Sequence, residues 1–317
     1  MTLFFGDGTK EYRINEDTMT FIDAYPGSPI SFVPDGVIEM HQAWIDDKNI
    51  YGGQGVNIYS DNYTTLARFK NIALAGASFQ GVVADTAQIY AIDGNFVSTF
   101  GLKVYDKALG TLLAQYLTNG AGLLQLNLPT NMTWDGTNLI ICEQNNARIS
   151  IRPTANLNNA GAVKTIAVPS VGGPVRSVAV DTAFIYIGYE RVVLGNFVTR
   201  LAKYDRTTLL SVLDVPGPTA GGAESYVPWG ATVDDTYVYF AYQLNSVNGP
   251  IVKYDKSFNE IARVASTNTG NVVSLASTRW WNMMFVPKYT QIVGGGSSRR
   301  YKPRPSLYTP FNSDPLP

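Results

Sequence analysis

This 317-residue chain has a single histidine, His41, and a single cysteine, Cys142, so imidazole and thiol chemistry can come from one position each. A Ser–His–Asp arrangement would have to use His41, and the sequence contains no Gly-x-Ser-x-Gly elbow to present the serine. Neither a Cys-x-x-Cys pair, a His-Glu-x-x-His helix signature nor a phosphate-binding loop occurs. Gly294-Gly295-Gly296 is not followed by Lys-Ser/Thr, so it reads as a hinge. Adjacent aspartates at Asp46-Asp47 and Asp234-Asp235 raise calcium, but the Asp-x-Asp-x-Asp-Gly spacing of a calcium loop does not accompany them. The reading therefore predicts no metal, no cofactor and no catalytic set. One acid/base pair stands as an alternative. Glu39 and His41 alternate on one strand face and would suit a carbohydrate-active hydrolase or lyase. Glycosidase chemistry, however, wants two facing carboxylates, and the position of His41 in the repeat carries no such pair in the other copies.

The elements that must position these residues are announced by a repeated phrase: an apolar residue, Asp, a polar turn, then an apolar–aromatic pair. It appears as Ile45-Asp46 to Ile50-Tyr51, Ala84-Asp85 to Ile89-Tyr90, Trp134-Asp135 to Leu139-Ile140, Val180-Asp181 to Ile185-Tyr186 and Val233-Asp234 to Val238-Tyr239. A degraded copy runs from Ala276-Ser277 to Trp281-Asn282. Successive Asp (or Ser) positions lie 39, 50, 46, 53 and 43 residues apart, a period that belongs to a propeller blade or a solenoid. A second phrase follows each first one: Ile58-Tyr59-Ser60-Asp61, Val104-Tyr105-Asp106, Lys203-Tyr204-Asp205 and Lys253-Tyr254-Asp255, with a weak form at Ile149-Ser150-Ile151-Arg152-Pro153. Its alternation is that of a half-exposed strand, and the Asp, Asn, Gly and Thr between runs favour turns. One unit is thus four strands. The segment from Glu11 to Ile22 aligns with the second phrase, and Ser274 to Met284 with the first, so each end is expected to give two strands to a shared sixth unit.

These blades resemble those of the β-propeller superfamily, of the NHL, YVTN and quinoprotein types, over roughly residues 8–296; the Gly-His…Trp-Asp signature of WD40 blades is absent. The resemblance implies an all-β, six-bladed propeller over residues 1–296, closed by N- and C-terminal strands in one blade. It implies further that the first strand of each blade lines a central channel. The position five residues before each Asp (or Ser) then forms a ring near one mouth: His41, Gln80, Thr130, Arg176, Trp229 and Val272. The first five could grip a sugar or a peptide by stacking and hydrogen bonding, in a lectin-like manner; the alternative is that they pack beneath the mouth. The pair Gly94-Asn95, echoed by Gly195-Asn196, is expected to turn the middle hairpin of its blade.

Composition narrows the class. Charged residues make up 15% and net charge is −1, so no electrostatic case exists for nucleic acid or an anionic membrane. No apolar run reaches membrane-span length, and the start, Met1-Thr2-Leu3-Phe4-Phe5, does not read as a signal peptide. The expected site of synthesis is the cytoplasm. Cys142, within Leu139-Ile140-Ile141-Cys142, is expected to be a buried free thiol. Residues 297–317 change character, becoming basic and proline-rich, as an extended arm would be. Arg299, Arg300, Tyr301, Lys302, Arg304, Leu307, Tyr308 and Phe311 are the expected anchors of that arm on a protein partner; a passive tail is the alternative. The functional expectation is a non-enzymatic structural or binding propeller in a larger assembly. Phage or viral virions, with their tail and spike proteins, are the assemblies it most resembles, and a host receptor or glycan is the further contact.

Overall fold

In the computed structural model, backbone is described at residues 2–6, 11–15, 20–24, 40–45, 49–54, 57–62, 68–73, 79–95, 99–117, 119–219, 226–244, 247–264, 282–286, 289–292 and 300–303. Side chains are described at 81–92, 101–116, 119–219, 226–243 and 249–263. The repeats become four-stranded antiparallel sheets in chain order. The N-terminal strands are β1 (Thr2–Gly6), β2 (Glu11–Asn15) and β3 (Thr20–Ala24). Sheet 1 holds β4 (Met40–Ile45), β5 (Asn49–Gln54), β6 (Asn57–Asn62) and β7 (Arg68–Ala73). Sheet 2 holds β8 (Phe79–Ala84), β9 (Gln88–Asn95), β10 (Thr99–Asp106) and β11 (Leu112–Leu117). Sheet 3 holds β12 (Pro129–Trp134), β13 (Asn138–Glu143), β14 (Arg148–Pro153) and β15 (Lys164–Ala167), the last two joined through short 3-10 turns at Thr154–Asn156 and Ala160–Ala162. Sheet 4 holds β16 (Val175–Val180), β17 (Phe184–Val193), β18 (Asn196–Asp205) and β19 (Ser211–Pro216). Sheet 5 holds β20 (Val227–Val233), β21 (Tyr237–Leu244), β22 (Val247–Asp255) and β23 (Glu260–Val264).

Strand β24 (Asn282–Val286) completes sheet 6 by pairing with β1, in the order β24-β1-β2-β3. The first strands then pack in a cycle: β4 on β8, β8 on β12, β12 on β16, β16 on β20, β20 on β24 and β24 on β4. The two ends do share one sheet, but not as two strands each. Three come from the N-terminus and one from the C-terminus. The apolar run Leu3-Phe4-Phe5 is itself a strand and takes the second place, where the repeat pattern predicts the segment around Trp281. Of the degraded Asp phrase only Asn282 is among the described residues.

The core lies between neighbouring sheets. One apolar cluster joins sheets 3 and 4 through Ile140, Ile149, Val178, Ile185 and Ile187, and a second joins sheets 4 and 5 through Tyr186, Leu201, Phe240, Tyr242 and Val252. The second strands of sheets 3 and 4 are covered on both faces, so Leu139–Cys142 of β13 and Phe184–Tyr189 of β17 are continuous apolar runs with little exposure. Of the described third strands, Ile149–Arg152 of β14 and Ile251–Tyr254 of β22 are covered throughout, whereas β18 keeps the expected alternation of buried and partly exposed positions. Their lysines lie flat on aromatic rings, Lys203 Nζ 3.9 Å from the centre of Phe184 and Lys253 Nζ 4.0 Å from that of Tyr237. Sheets 4 and 5 approach so closely at Gly188 that a Cβ there would stand 2.8 Å from Pro228 Cβ.

The tight turn of sheet 4 is displaced by one residue from expectation. Its central pair is Leu194-Gly195, with φ of 50° and 82°, and Asn196 already begins β18. In sheet 2, Gly94 and Asn95 close β9, and the loop after them lies outside the described residues. Beyond sheet 6, β25 (Tyr289–Ile292) and β26 (Arg300–Pro303) form a separate antiparallel pair. Of the expected arm anchors, Arg300, Tyr301 and Lys302 are in β26; Arg299, Arg304, Leu307, Tyr308 and Phe311 lie outside the described residues.

Candidate functional site

The Asp of the repeated phrase has one job in every described copy. Its Oδ1 accepts from the backbone N–H groups two and three residues on: Ala87 and Gln88 at Asp85, Thr137 and Asn138 at Asp135, Ala183 and Phe184 at Asp181, Thr236 and Tyr237 at Asp234. This is an Asx turn between the first and second strands. Its Oδ2 accepts from the phenol five residues on, at 2.8 Å from Tyr90, 2.8 Å from Tyr186 and 3.0 Å from Tyr239. The basic residue that follows the second phrase reaches back across the seam to the preceding sheet. Arg206 Nη2 is 2.7 Å from Asp135 Oδ2, and Lys256 Nζ is 2.6 Å from Asp181 Oδ2. Burial alone would raise the Asp181 carboxyl; the Lys256 ammonium, two backbone amides and the Tyr186 hydroxyl outweigh it and hold the group below its ordinary range. Burial and the Asp181 charge push the Tyr186 phenol up.

At the opposite end of these strands lies the expected ring. Each of its first five members falls at an irregularity in the pairing of a first strand with its neighbour. In sheet 2 the register shifts between Phe79 and Gly81, around Gln80. In sheets 3, 4 and 5 it shifts around Thr130, Arg176 and Trp229 in turn. In sheet 1 it shifts between Met40 and Ala43, around His41 and Gln42. A bulge leaves one residue unpaired, bends the strand and re-aims a side chain, and such bulges cluster beside sites. The side chains of His41 and Gln80 are outside those described, and Val272 lies outside the described residues.

The three described ring side chains join adjacent sheets. Thr130 is buried and donates to the Val175 carbonyl at 2.8 Å. Arg176 donates to Glu190 Oε2 at 2.8 Å and to Gln144 Oε1 at 2.9 Å, and its guanidinium carbon lies 4.3 Å from the centre of Trp229. Sheets 3, 4 and 5 are thereby tied at one point.

A second polar ring, not foreseen, surrounds the first. Eight or nine residues after each Asp the apolar run ends on Gln54, Asp93, Glu143, Glu190 or Gln243, each close to the bulged start of the first strand. The signal was in the sequence, as a polar residue recurring eight or nine positions after the Asp. Glu143 is buried and accepts from Arg148 Nε at 3.0 Å and Asn146 Nδ2 at 2.6 Å. Arg148 in turn donates to the carbonyls of Ala121, Gly122 and Gln125, so this carboxylate anchors the loop that leads into sheet 3. Burial lowers the Arg152 guanidinium below its ordinary value, against the pull of Glu143 3.8 Å away. Among the described side chains, Asn131 Oδ1, Ser177 Oγ and Gln243 Nε2 are buried at this end without a hydrogen-bond partner. Cys142 is buried and its thiol is pushed up by burial, which suits a packing role.

Comparison with known proteins agrees with this architecture. No family model and no curated protein matches the chain. Among solved structures it is similar to the WD40 domain of Neurospora crassa Pan2, with a TM-score of 0.53 and 10% identity over 80% of this chain and 72% of that one. It is also similar to a chain of a nidogen/laminin complex, with a TM-score of 0.59 and 13% identity over 89% of this chain and 97% of that one. At such identities the likeness is one of fold. Seated four-stranded sheets, a cycle of first strands and these two likenesses together make the chain a β-propeller.

Proposed function

We propose that this chain is a non-catalytic binding propeller that works inside a larger assembly, and that its partner docks on the face bearing the bulged ring. The observation that carries the reading is the irregularity at one place in five first strands, which in sheets 3, 4 and 5 puts Thr130, Arg176 and Trp229 where adjacent sheets meet. Buried polar atoms at that end, Asn131 Oδ1, Ser177 Oγ and Gln243 Nε2, are groups for which a bound polar partner or water supplies the missing hydrogen bonds. The same end carries an apolar projection. Strands β17 and β18 outrun their neighbours by four residues, and Val193, Leu194 and Phe197 at their tip are exposed, Leu194 at 98%. A rigid hairpin with exposed apolar side chains beside a polar ring fits a protein partner, since apolar and aromatic anchors dominate interface energies. Against catalysis weighs the state of the ring-end carboxylates described: Glu143 and Glu190 are each held by arginine.

The finer reading is that the assembly is a virion, with the propeller in a tail or spike and the basic, proline-rich C-terminus as the docking arm. Size-exclusion chromatography with light scattering of the full chain and of a chain ending at Gly296, each alone and with the co-purified particle proteins, tests it. Complex formation by the full chain, reduced by the truncation and by L194S/F197S, is the expected result. A monomer in every mixture would remove the reading.

A further inference from the structure

Loops over sheets 3 and 4 join into one surface at the ring end. Loop 119–127 sits on the β13–β14 turn, where Asn146 Nδ2 donates to the Gly120 carbonyl at 2.9 Å. That turn meets loop 168–174 through the Val168 N–H, which donates to the Ala147 carbonyl at 2.9 Å. Loop 168–174 meets the β17–β18 hairpin through the Val192 N–H, 3.4 Å from the Val171 carbonyl. The exposed large apolar side chains described at this end all lie on this surface: Leu123, Leu124, Val171, Val193, Leu194 and Phe197. Two of them are held there against the preference of the backbone. Val171 has a φ of 36° and is 64% exposed, and Leu194 has a φ of 50°. A β-branched residue at positive φ is an outlier, and burial offsets the strain at neither position. The loop that carries Leu123 and Leu124 is fixed as well. Three of its carbonyls accept from Arg148, and the Gly122 N–H donates to Gln125 Oε1 at 2.8 Å. An apolar surface held rigid in water loses little freedom when it is covered.

Charge points to what covers it. Arg148 and Arg176, at the same end, are paired with Glu143 and Glu190. Arg191 is exposed, two residues from Val193 along β17 and so on the same face of it, and no described carboxylate pairs with it. The matching occupant is an extended apolar segment with one carboxylate and no other charge. Residues 305–317 have that composition: Leu307, Tyr308, Phe311 and Leu316 are apolar or aromatic, and Asp314 is the single charge. Pro305, Pro310, Pro315 and Pro317 favour an extended form that has little freedom to lose and docks by its side chains. We propose that residues 305–317 of one copy dock on the Leu123–Val171–Leu194 surface of the next, with Asp314 facing Arg191. This rests on the docking-face reading above and names the occupant of that face. The segment follows sheet 6, which stands across the cycle from sheet 3, an arrangement that favours a second copy over the chain's own end. Segment and surface are different parts of the chain, so the contact is head-to-tail and links copies into a ring or a filament.

Methyl NMR of the full-length chain, labelled at leucine and valine, tests this with a synthetic peptide of residues 305–317 as the probe. The chain carries Leu307→Ser/Phe311→Ser, so that its own segment does not compete. The peptide is expected to shift Leu123, Val171 and Leu194. Leu194→Ser is expected to weaken binding about tenfold, as loss of an interface anchor does. Arg191→Asp is expected to weaken it about threefold, and a peptide carrying Asp314→Arg to recover the loss. In light scattering the unsubstituted chain should gain mass with concentration, and Leu307→Ser/Phe311→Ser should not. No peptide binding at millimolar concentration, shifts confined to other methyls, or a charge exchange that recovers nothing would overturn the proposal, and the first two need no change in the surface itself. Phosphatidylglycerol vesicles that shift these methyls where the peptide does not would overturn it too, in favour of a lipid. Particle proteins that bind the ring face when the peptide does not would leave the docking reading standing and remove this occupant alone.

Discussion

At the residue scale the molecule rests on one aspartate used repeatedly. Asp181 caps a turn, takes a phenol and receives a lysine from the next sheet, so a single carboxylate fixes a local bend and a seam. Lys256→Ala leaves that carboxylate, 4% exposed, without its counter-charge. The expected cost is about 1–3 kcal/mol, smaller than for a fully buried pair because Lys256 is itself partly in water. Tyr186→Phe is expected to cost about 1 kcal/mol, and both values are read from denaturant midpoints. Because the Asp181 carboxyl is depressed in the folded state, its contribution is present above the ordinary value of 3.8 and is lost as pH falls through the folded value. Unfolding curves at pH 5, 4 and 3 should show stability declining, and declining less steeply in Lys256→Ala. The tyrosines act at the other end of the scale. Tyr254, which burial raises from 10.0 to about 12, contributes stability that is complete below pH 10 and lost as pH rises toward 12. Tyrosinate absorbance and loss of circular dichroism should then rise together in that interval. The capping role of the aspartates was legible, since Asp before a polar turn is a chemical signature. The reach of Arg206 and Lys256 was not, because it joins residues more than 70 positions apart.

Elements carry the site. The phase of the two phrases placed the strands well, because turn chemistry and apolar runs mark both ends of each one. The ring was legible as an offset from the Asp, which the fixed length of the first strand converts into a spatial level. Its bulges were not legible. A bulge is one extra residue in a ladder and leaves no compositional trace, so nothing in Pro129-Thr130-Asn131 distinguishes it from a regular strand. Turn position was missed by one residue because Gly-Asn is a good turn pair by propensity. The ladder of β17 and β18 instead puts Leu194 first, at φ 50° and fully in solvent. A leucine there has left-handed strain and no packing in return. Leu194→Asn is expected to stabilise the chain by about 0.5–1 kcal/mol in thermal melts, since asparagine tolerates that conformation. A destabilisation would mean that Leu194 packs on something, and the apolar projection would then need another description.

The whole molecule is a cycle of sheets, and what makes it a cycle is the pairing of β24 with β1. Without it the first strand of sheet 6 would be missing, and β1 would present an open edge, a site for pairing with other chains. That the ends meet was legible from two incomplete repeats. The division into three strands and one was not, because Leu3-Phe4-Phe5 carries neither phrase and declares itself only by what it pairs with. The closure has a direct test. Phe4 and Met284 are register partners across β1 and β24, and the only native cysteine is buried. In Phe4→Cys/Met284→Cys, oxidation is expected to form an intramolecular disulfide, seen by mass spectrometry under non-reducing conditions. The bond would close a loop of nearly the whole chain and raise stability by up to about 5 kcal/mol. If instead both thiols stay free in a folded, oxidised protein, the two ends do not share a sheet and the cycle described here is wrong.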